Sequence, residues 1–237
     1  MGEYIVCETD ERTYFLKRLL TDKRPAVNTH IFAPNLVLSE RELTQVGYGE
    51  ILVCGRTDAS ADRYIAENNV KVCYMMRDER FQAANAALTA EGALAIMIDH
   101  SMLSLADMRV LVIGFGRTGA ALAKLLTKLD VNFDVATLAS ARPAAAFARN
   151  AVPTNNLDLS FYDIVVNTVP EKIISEEVAL TMQAHTVYID LASKPALDLD
   201  ALKNLGMDAD IYPALPAKCS PQSAAKVMKD YVLEVSE

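Results

Sequence analysis

The sequence predicts an α/β protein of two lobes: a small flavodoxin- or Rossmann-like N-terminal domain, followed by a Rossmann dinucleotide-binding domain built on a parallel sheet. Three observations carry this reading. Short apolar runs alternate with stretches of helical periodicity along the chain, as expected of successive β-α-β units. The run Val110-Leu111-Val112-Ile113 leads directly into Gly114-Phe115-Gly116-Arg117-Thr118-Gly119, and Ala120 to Leu126 then has helical character. A GxGxxG turn between a strand and a helix is the context that a dinucleotide fingerprint needs. Finally, residues 1–108 precede the fingerprint strand, enough chain for a domain of its own.

The elements follow in order. Residues 3–7 form a strand, and residues 11–20 have helical spacing with Asp10 as N-cap. His30 to Ala33 is a strand closed by Pro34-Asn35, and Ile51 to Cys54 is a buried strand stopped by Gly55. Asp58 caps a helix over 59–68, and Val70 to Met75 is the next strand. Small residues dominate 82–100, which read as one long helix bridging two domains. Beyond the fingerprint, strands are expected at 133–137, 162–167, 186–191 and 208–212, with helices at 142–150, 175–183 and 221–235. The domain division is therefore 1–82 as a substrate-side α/β domain, 83–107 as interdomain helix and linker, 108–216 as the NAD(P)-binding domain, and 217–237 as a C-terminal helix packing back across the domains.

Composition narrows the function. The 237 residues are 51% hydrophobic and 23% charged, as in an ordinary globular chain with a good core. A net charge of −8 and a pI near 5.0 argue against a nucleic-acid surface, which needs clustered basic residues. No uninterrupted apolar run reaches the roughly 18 residues of a membrane span. Cys7, Cys54, Cys73 and Cys219 form no CxxC pair and read as buried free thiols. No metal-ligand spacing or Ser/His/Asp set is visible, and His30, His100 and His185 receive no catalytic role. These features together point to the cytoplasm.

Ligands of open α/β sheets bind beyond the carboxyl ends of the strands, which selects four loops. In the fingerprint, Gly114 permits the tight turn, Gly116 lets a pyrophosphate approach the backbone, and Gly119 lets the helix pack against the sheet. Phe115, Arg117 and Thr118 complete the turn, and the helix behind it offers free N–H groups to phosphates. The loop after the second strand of this domain carries no acid where an NAD-preferring site usually has one. It holds Ser140 and Arg142 instead, which favour NADP, with NAD as the alternative. Asn167-Thr168-Val169-Pro170 is a stiffened turn suited to lie against the nicotinamide ribose. Asp190-Leu191-Ala192-Ser193-Lys194-Pro195 ends a buried strand; Ala192 flanks the cofactor, and Ser193 and Lys194 are candidate catalytic residues, Lys194 as carboxylate holder or general acid. Asp190 reads equally as a satisfied structural carboxylate.

Five segments occur together in one order: Asn85 to Ala95, with Thr89 and Glu91-Gly92; Gly114 to Gly119; Asn167 to Pro170; Asp190 to Pro195; and Ala214 to Pro221. In this the chain resembles the family of dipicolinate synthase A subunits from about residue 76 to 232. The resemblance implies a nicotinamide-dependent oxidoreductase that makes pyridine-2,6-dicarboxylate from a dihydro- or hydroxytetrahydro-dipicolinate with a flavoprotein-like B subunit. That reaction is a branch of lysine and diaminopimelate biosynthesis used in sporulation. It also implies that Asn85, Thr89 and Glu91 face the substrate. The chemistry of that substrate calls for positive groups to hold two carboxylates, such as Lys194 with Arg80 or Arg117, and the small residues along 83–96 make a homodimer one possible assembly. The chain departs from the family pattern at Cys7 to Arg12, where a Gly-Gly-Asp-x-Arg turn is usual. It departs again at Pro195-Ala196-Leu197 and at Ala217, and its first domain is short. Two other readings stand beside this one: another NADP-dependent dehydrogenase, acting on a small cyclic imine or hydroxy acid, and a nucleotide-binding partner protein without catalysis.

Overall fold

The computed structural model describes residues 1–137, 150–152, 157–172 and 174–236. Contacts divide the chain into two compact units: Met1–Leu88 with Pro216–Glu237, and Thr89–Leu215. Both are parallel α/β sheets, so the expected fold class holds.

In the first unit β1 (Tyr4–Val6), β2 (Thr29–Ile31), β4 (Ile51–Cys54) and β6 (Lys71–Tyr74) lie side by side in that order. Helix α1 (Glu11–Leu20) starts as expected: the Asp10 carboxylate accepts from the Thr13 N–H, and the Thr13 hydroxyl closes a capping box. The arginine of the departing segment, Arg12, is 2% exposed and is held by Asp10 at 2.9 Å. Alternate residues of β4 face opposite cores. Ile51 and Val53 pack with Leu16 and Leu20 of α1 and with Ala225, Met228 and Val232 of α9 (Pro221–Ser236). Leu52 and Cys54 pack with Leu43 of α2 (Glu40–Leu43) and Ala61 of α3 (Ala59–Glu67). Helices α1 and α3 thus cover opposite faces, although β1→β2 and β4→β6 step in the same direction. The two crossovers are of opposite hand, so one departs from the right-handed rule.

The second unit orders its strands β12-β11-β10-β7-β8-β9, all parallel. These are β7 (Arg109–Ile113), β8 (Asn132–Ala136), β9 (Asn150–Val152), β10 (Ile164–Asn167), β11 (Val187–Asp190) and β12 (Asp208–Ile211). The order reverses between β7 and β10, which defines a topological switch point. One face is covered by α4 (Glu79–His100), through Ala90, Ala93 and Met97, and by α5 (Arg117–Lys128). The other carries α6 (Glu176–Ala179) and α7 (Leu199–Asn204). By length and mean hydropathy, 1.2, α4 would suffice to cross a bilayer, yet its Phe81, Ala90, Ala93 and Met97 are buried in the protein cores.

Several expectations change. The bridging helix begins at Glu79 rather than 82. The helix expected at 142–150 falls outside the described residues except for Asn150, which opens the unanticipated strand β9. A two-stranded ladder, β3 (Val37–Leu38) with β5 (Arg56–Thr57), was not legible because two-residue strands carry no periodicity. All four thiols are free, but only Cys54 is buried. Burial pushes its pKa up to about 12, whereas Cys219 is exposed.

Candidate functional site

In the second unit β7, β10 and β11 are in register, with Ile113, Asn167 and Asp190 level with one another. Three of the selected loops therefore leave the sheet side by side at the switch point.

The glycine turn is shaped by contact rather than by sequence preference alone. Gly114 has φ +97°, and a Cβ there would lie 2.6 Å from Thr168 Oγ1 and from Val169 Cγ2. Gly119, in the first turn of α5, comes so close to the strand end that a Cβ would sit 2.2 Å from the Gly114 carbonyl oxygen. Gly116 is different. It is the N-cap of α5 without a side-chain cap, and a Cβ there would meet nothing within 4 Å. Two glycines bind the turn to its neighbours, and the third leaves bare backbone in open space beside the first N–H groups of a helix. That arrangement fits a pyrophosphate. Arg117 is exposed, Thr118 is partly buried, and Phe115 packs on the core beneath.

The neighbouring loops are locked by internal hydrogen bonds. The Thr168 hydroxyl donates to the Ile113 carbonyl at 2.9 Å, tying β10 to the fingerprint strand. Asn167 is 1% exposed; its amide donates to the Val169 carbonyl at 2.8 Å and to Asp190 Oδ1 at 3.1 Å, and its carbonyl accepts from the Val169 N–H. Its side chain therefore holds the turn. Asp190 is fully buried and accepts from Ala192 N–H and Ala196 N–H at 2.9 Å, from Tyr188 OH at 3.1 Å, and from Asn167. With those donors it is a structural anchor for the 190–196 loop. Burial, and then the adjacent Asp190 charge, raise the Tyr188 pKa. The anchored loop displays Ser193, Lys194 and Pro195 to solvent, while Ala192 is 5% exposed.

Not every expected residue joins this edge. Ser140 and Arg142 lie outside the described residues. Asn85 and Thr89, four apart, share one side of α4, whereas Glu91 is turned by roughly 200° from Thr89 at 100° per residue, so the helix alone does not bring the three together. Arg80, one candidate for a substrate carboxylate, instead pairs with Glu234 of α9. His100 bridges Asp208 at 2.7 Å and the Tyr212 hydroxyl at 3.1 Å. Sequence reasoning passed over the carboxyl edge of the first sheet, where Arg56 and Arg77 line a cavity. The signal available was only that Arg56 follows a buried strand and its glycine.

Residues 72–212 match the family of D-isomer specific 2-hydroxyacid dehydrogenases at its NAD binding domain, more than half of the chain. The chain belongs to that family. Within the D-isomer specific 2-hydroxyacid dehydrogenase family the turn described above lies in the NAD-binding domain, which makes a nicotinamide cofactor and an oxidoreductase scaffold the setting for this site. The chain is also 26% identical to the dipicolinate synthase A subunit of Bacillus subtilis (strain 168) over 207 residues, covering 85% of this chain and 70% of that one. In fold it resembles the crystal structure of the dipicolinate synthase A subunit from Bacillus halodurans, with TM-score 0.85, 19% identity and coverage of 99% of this chain and 97% of that chain. It resembles the Treponema pallidum D-lactate dehydrogenase TP0037 less, with TM-score 0.63 and 11% identity over 100% and 97% of the two chains.

Proposed function

We propose that this chain is a dehydrogenase acting as the A subunit of a dipicolinate synthase. In this reading it forms pyridine-2,6-dicarboxylate from a dihydro- or hydroxytetrahydro-dipicolinate with a flavoprotein-like B subunit, in the cytoplasm. The observation that carries it is the extent of the likeness. The match to the B. subtilis protein spans 85% of the chain and so reaches well outside residues 72–212, which any relative with this NAD-binding domain would share.

Aromatising a dihydropyridine ring removes a hydride and a proton, and a bound nicotinamide supplies the hydride acceptor. The chain's own residues do the rest. The bare backbone at Gly116 and the N–H groups opening α5 hold the pyrophosphate, with Arg117 adding charge. Ser140 and Arg142 select NADP over NAD by attracting a 2′-phosphate. Thr168, Val169 and Pro170, fixed by Asn167, line the ribose side. Lys194, presented by the loop that Asp190 anchors, holds a carboxylate or moves the ring proton, with Ser193 beside it. Asn85, Thr89 and Glu91 contribute from α4 to substrate recognition.

Calorimetric titration with NADP and NAD, beside Arg142→Ala, tests the cofactor. Tighter NADP binding that is lost in the variant supports this reading, and equal binding of both removes the assignment to Arg142. Adding the flavoprotein-like partner and a dihydrodipicolinate while following reduced cofactor by absorbance tests the reaction. Reduction of the cofactor by a hydroxy acid, or oxidation of the reduced cofactor by a cyclic imine, would instead move the chain to the broader dehydrogenase class, which the family match over 72–212 favours. Binding without turnover on any of these would make it a nucleotide-binding partner protein.

A further inference from the structure

Beyond the nucleotide turn, we propose that Arg56 and Arg77 form a carboxylate-binding subsite at the carboxyl edge of the first unit's sheet, the place where this chain recognises an acidic small molecule.

The strand rule that selects the glycine turn in the second unit selects this edge in the first. Strand β4 ends at Cys54 and β6 at Tyr74, and the residues that follow, Gly55-Arg56-Thr57 and Met76-Arg77, line a cavity of about 500 Å³. That size suits a small ligand. Both arginines stand on fixed backbone. Arg56 belongs to β5 and is hydrogen-bonded into the ladder with β3. Gly55 before it abuts the Pro34 carbonyl so closely that a Cβ would lie 1.9 Å from the oxygen, which pins the start of the segment. Arg77 ends the 3-10 turn Met75–Arg77, and its guanidinium lies 3.9 Å from the centroid of the Tyr74 ring.

The chain carries −8 net, yet among the described residues neither Arg56 nor Arg77 forms an ion pair with a carboxylate. The acid lining the cavity, Asp62, is held on its wall: it accepts from the hydroxyl of Thr57, another lining residue, at 2.6 Å. Because that contact takes Thr57's only hydroxyl proton, the 2.8 Å contact between Thr57 and Tyr74 has Tyr74 as donor. A chain Tyr74→Thr57→Asp62 thus fixes the aromatic ring that holds Arg77. Two guanidinium forks remain, in one cavity, beside an aromatic ring. Such forks bind planar oxyanions bidentately, and two of them suit a ligand with more than one carboxylate. The identity of that ligand rests on the reading under Proposed function; the anion site itself does not.

The test is calorimetric titration of the full chain with pyridine-2,6-dicarboxylate, succinate and inorganic phosphate, for the wild type, Arg56→Ala, Arg77→Ala and Arg77→Lys. NADP titration of each variant serves as the control for folding. Both alanine variants are expected to bind pyridine-2,6-dicarboxylate about 10- to 100-fold more weakly, with partial recovery in Arg77→Lys and unchanged NADP binding. Equal binding of pyridine-2,6-dicarboxylate by wild type and both alanine variants would overturn the subsite and leave the proposed function standing. Arginine-dependent binding of succinate without binding of pyridine-2,6-dicarboxylate would uphold the subsite and overturn the proposed substrate. Tighter binding of phosphate than of either carboxylate, or no anion binding at all, would overturn the proposal.

Discussion

The two sheets end in opposite ways. In the second unit the carboxyl edge is made of backbone: glycines packed against carbonyls and hydroxyls, and loops tied by the buried Asp190 and Asn167. In the first unit it is made of exposed side chains, Arg56 and Arg77, standing on a short ladder and a tight turn. A backbone site suits a ligand part that never varies, such as a pyrophosphate, because it cannot be altered without disturbing the strands behind it. A side-chain site can be retuned residue by residue, which suits the part that distinguishes one substrate from another.

That contrast can be broken by substitution. The largest effect belongs to Asp190→Ala, which leaves several buried donors without an acceptor; it should cost about 4 kcal/mol in denaturant unfolding and weaken cofactor binding with it. Gly119→Ala forces a Cβ against the Gly114 carbonyl and should cost about 2–3 kcal/mol in the same assay. Gly116→Ala separates function from fold. Its φ of −77° and its open surroundings predict stability within about 0.5 kcal/mol of wild type, while nucleotide binding measured by calorimetry falls about tenfold as the methyl group occupies the approach to the backbone.

A smaller effect is expected at the amino end of the first sheet. Burial of the Glu50 carboxylate opposes its ionisation, but hydrogen bonds from Gly47 N–H, Asn28 and His30 outweigh that and lower its pKa. A lowered pKa means that the unfolded chain takes up the proton first, so the associated stability is present at neutral pH and is lost as pH falls below the ordinary glutamate value of 4.5. Glu50→Gln should flatten that part of the acid-unfolding curve and leave the alkaline side unchanged. The smallest effect should come from Arg56→Ala and Arg77→Ala, each within about 0.5 kcal/mol of wild-type stability. A loss of about 2 kcal/mol in either, the scale of a buried structural residue, would show that the first unit's edge is as structural as the second's and would erase the contrast.

Much of this was legible in the residues. Strong apolar runs such as Val110 to Ile113 and Ile51 to Cys54 announced their strands, and Asp10 and Asp58 announced the helix starts they cap. These features are local: a strand's alternation, a cap three residues from its donor, a glycine turn between the two. The steric roles of Gly114 and Gly119 were likewise foreseeable, because backbone geometry constrains that turn wherever it occurs. Illegible were the features that depend on residues far apart in the chain. Asp190 becomes an anchor through Asn167, 23 residues away, and Arg80 is occupied by Glu234, 154 residues away. The opposite hands of the two crossovers follow from which face each helix covers. The pairing of Arg56 with Arg77 in one cavity follows from β4 lying beside β6. The sequence by itself determined the α/β class, the longer strands and helices and the glycine turn, because those are set by short-range sterics and periodicity. Which charged groups are paired with one another was decided only by the tertiary structure, because Coulombic and hydrogen-bond partners are chosen by proximity in space.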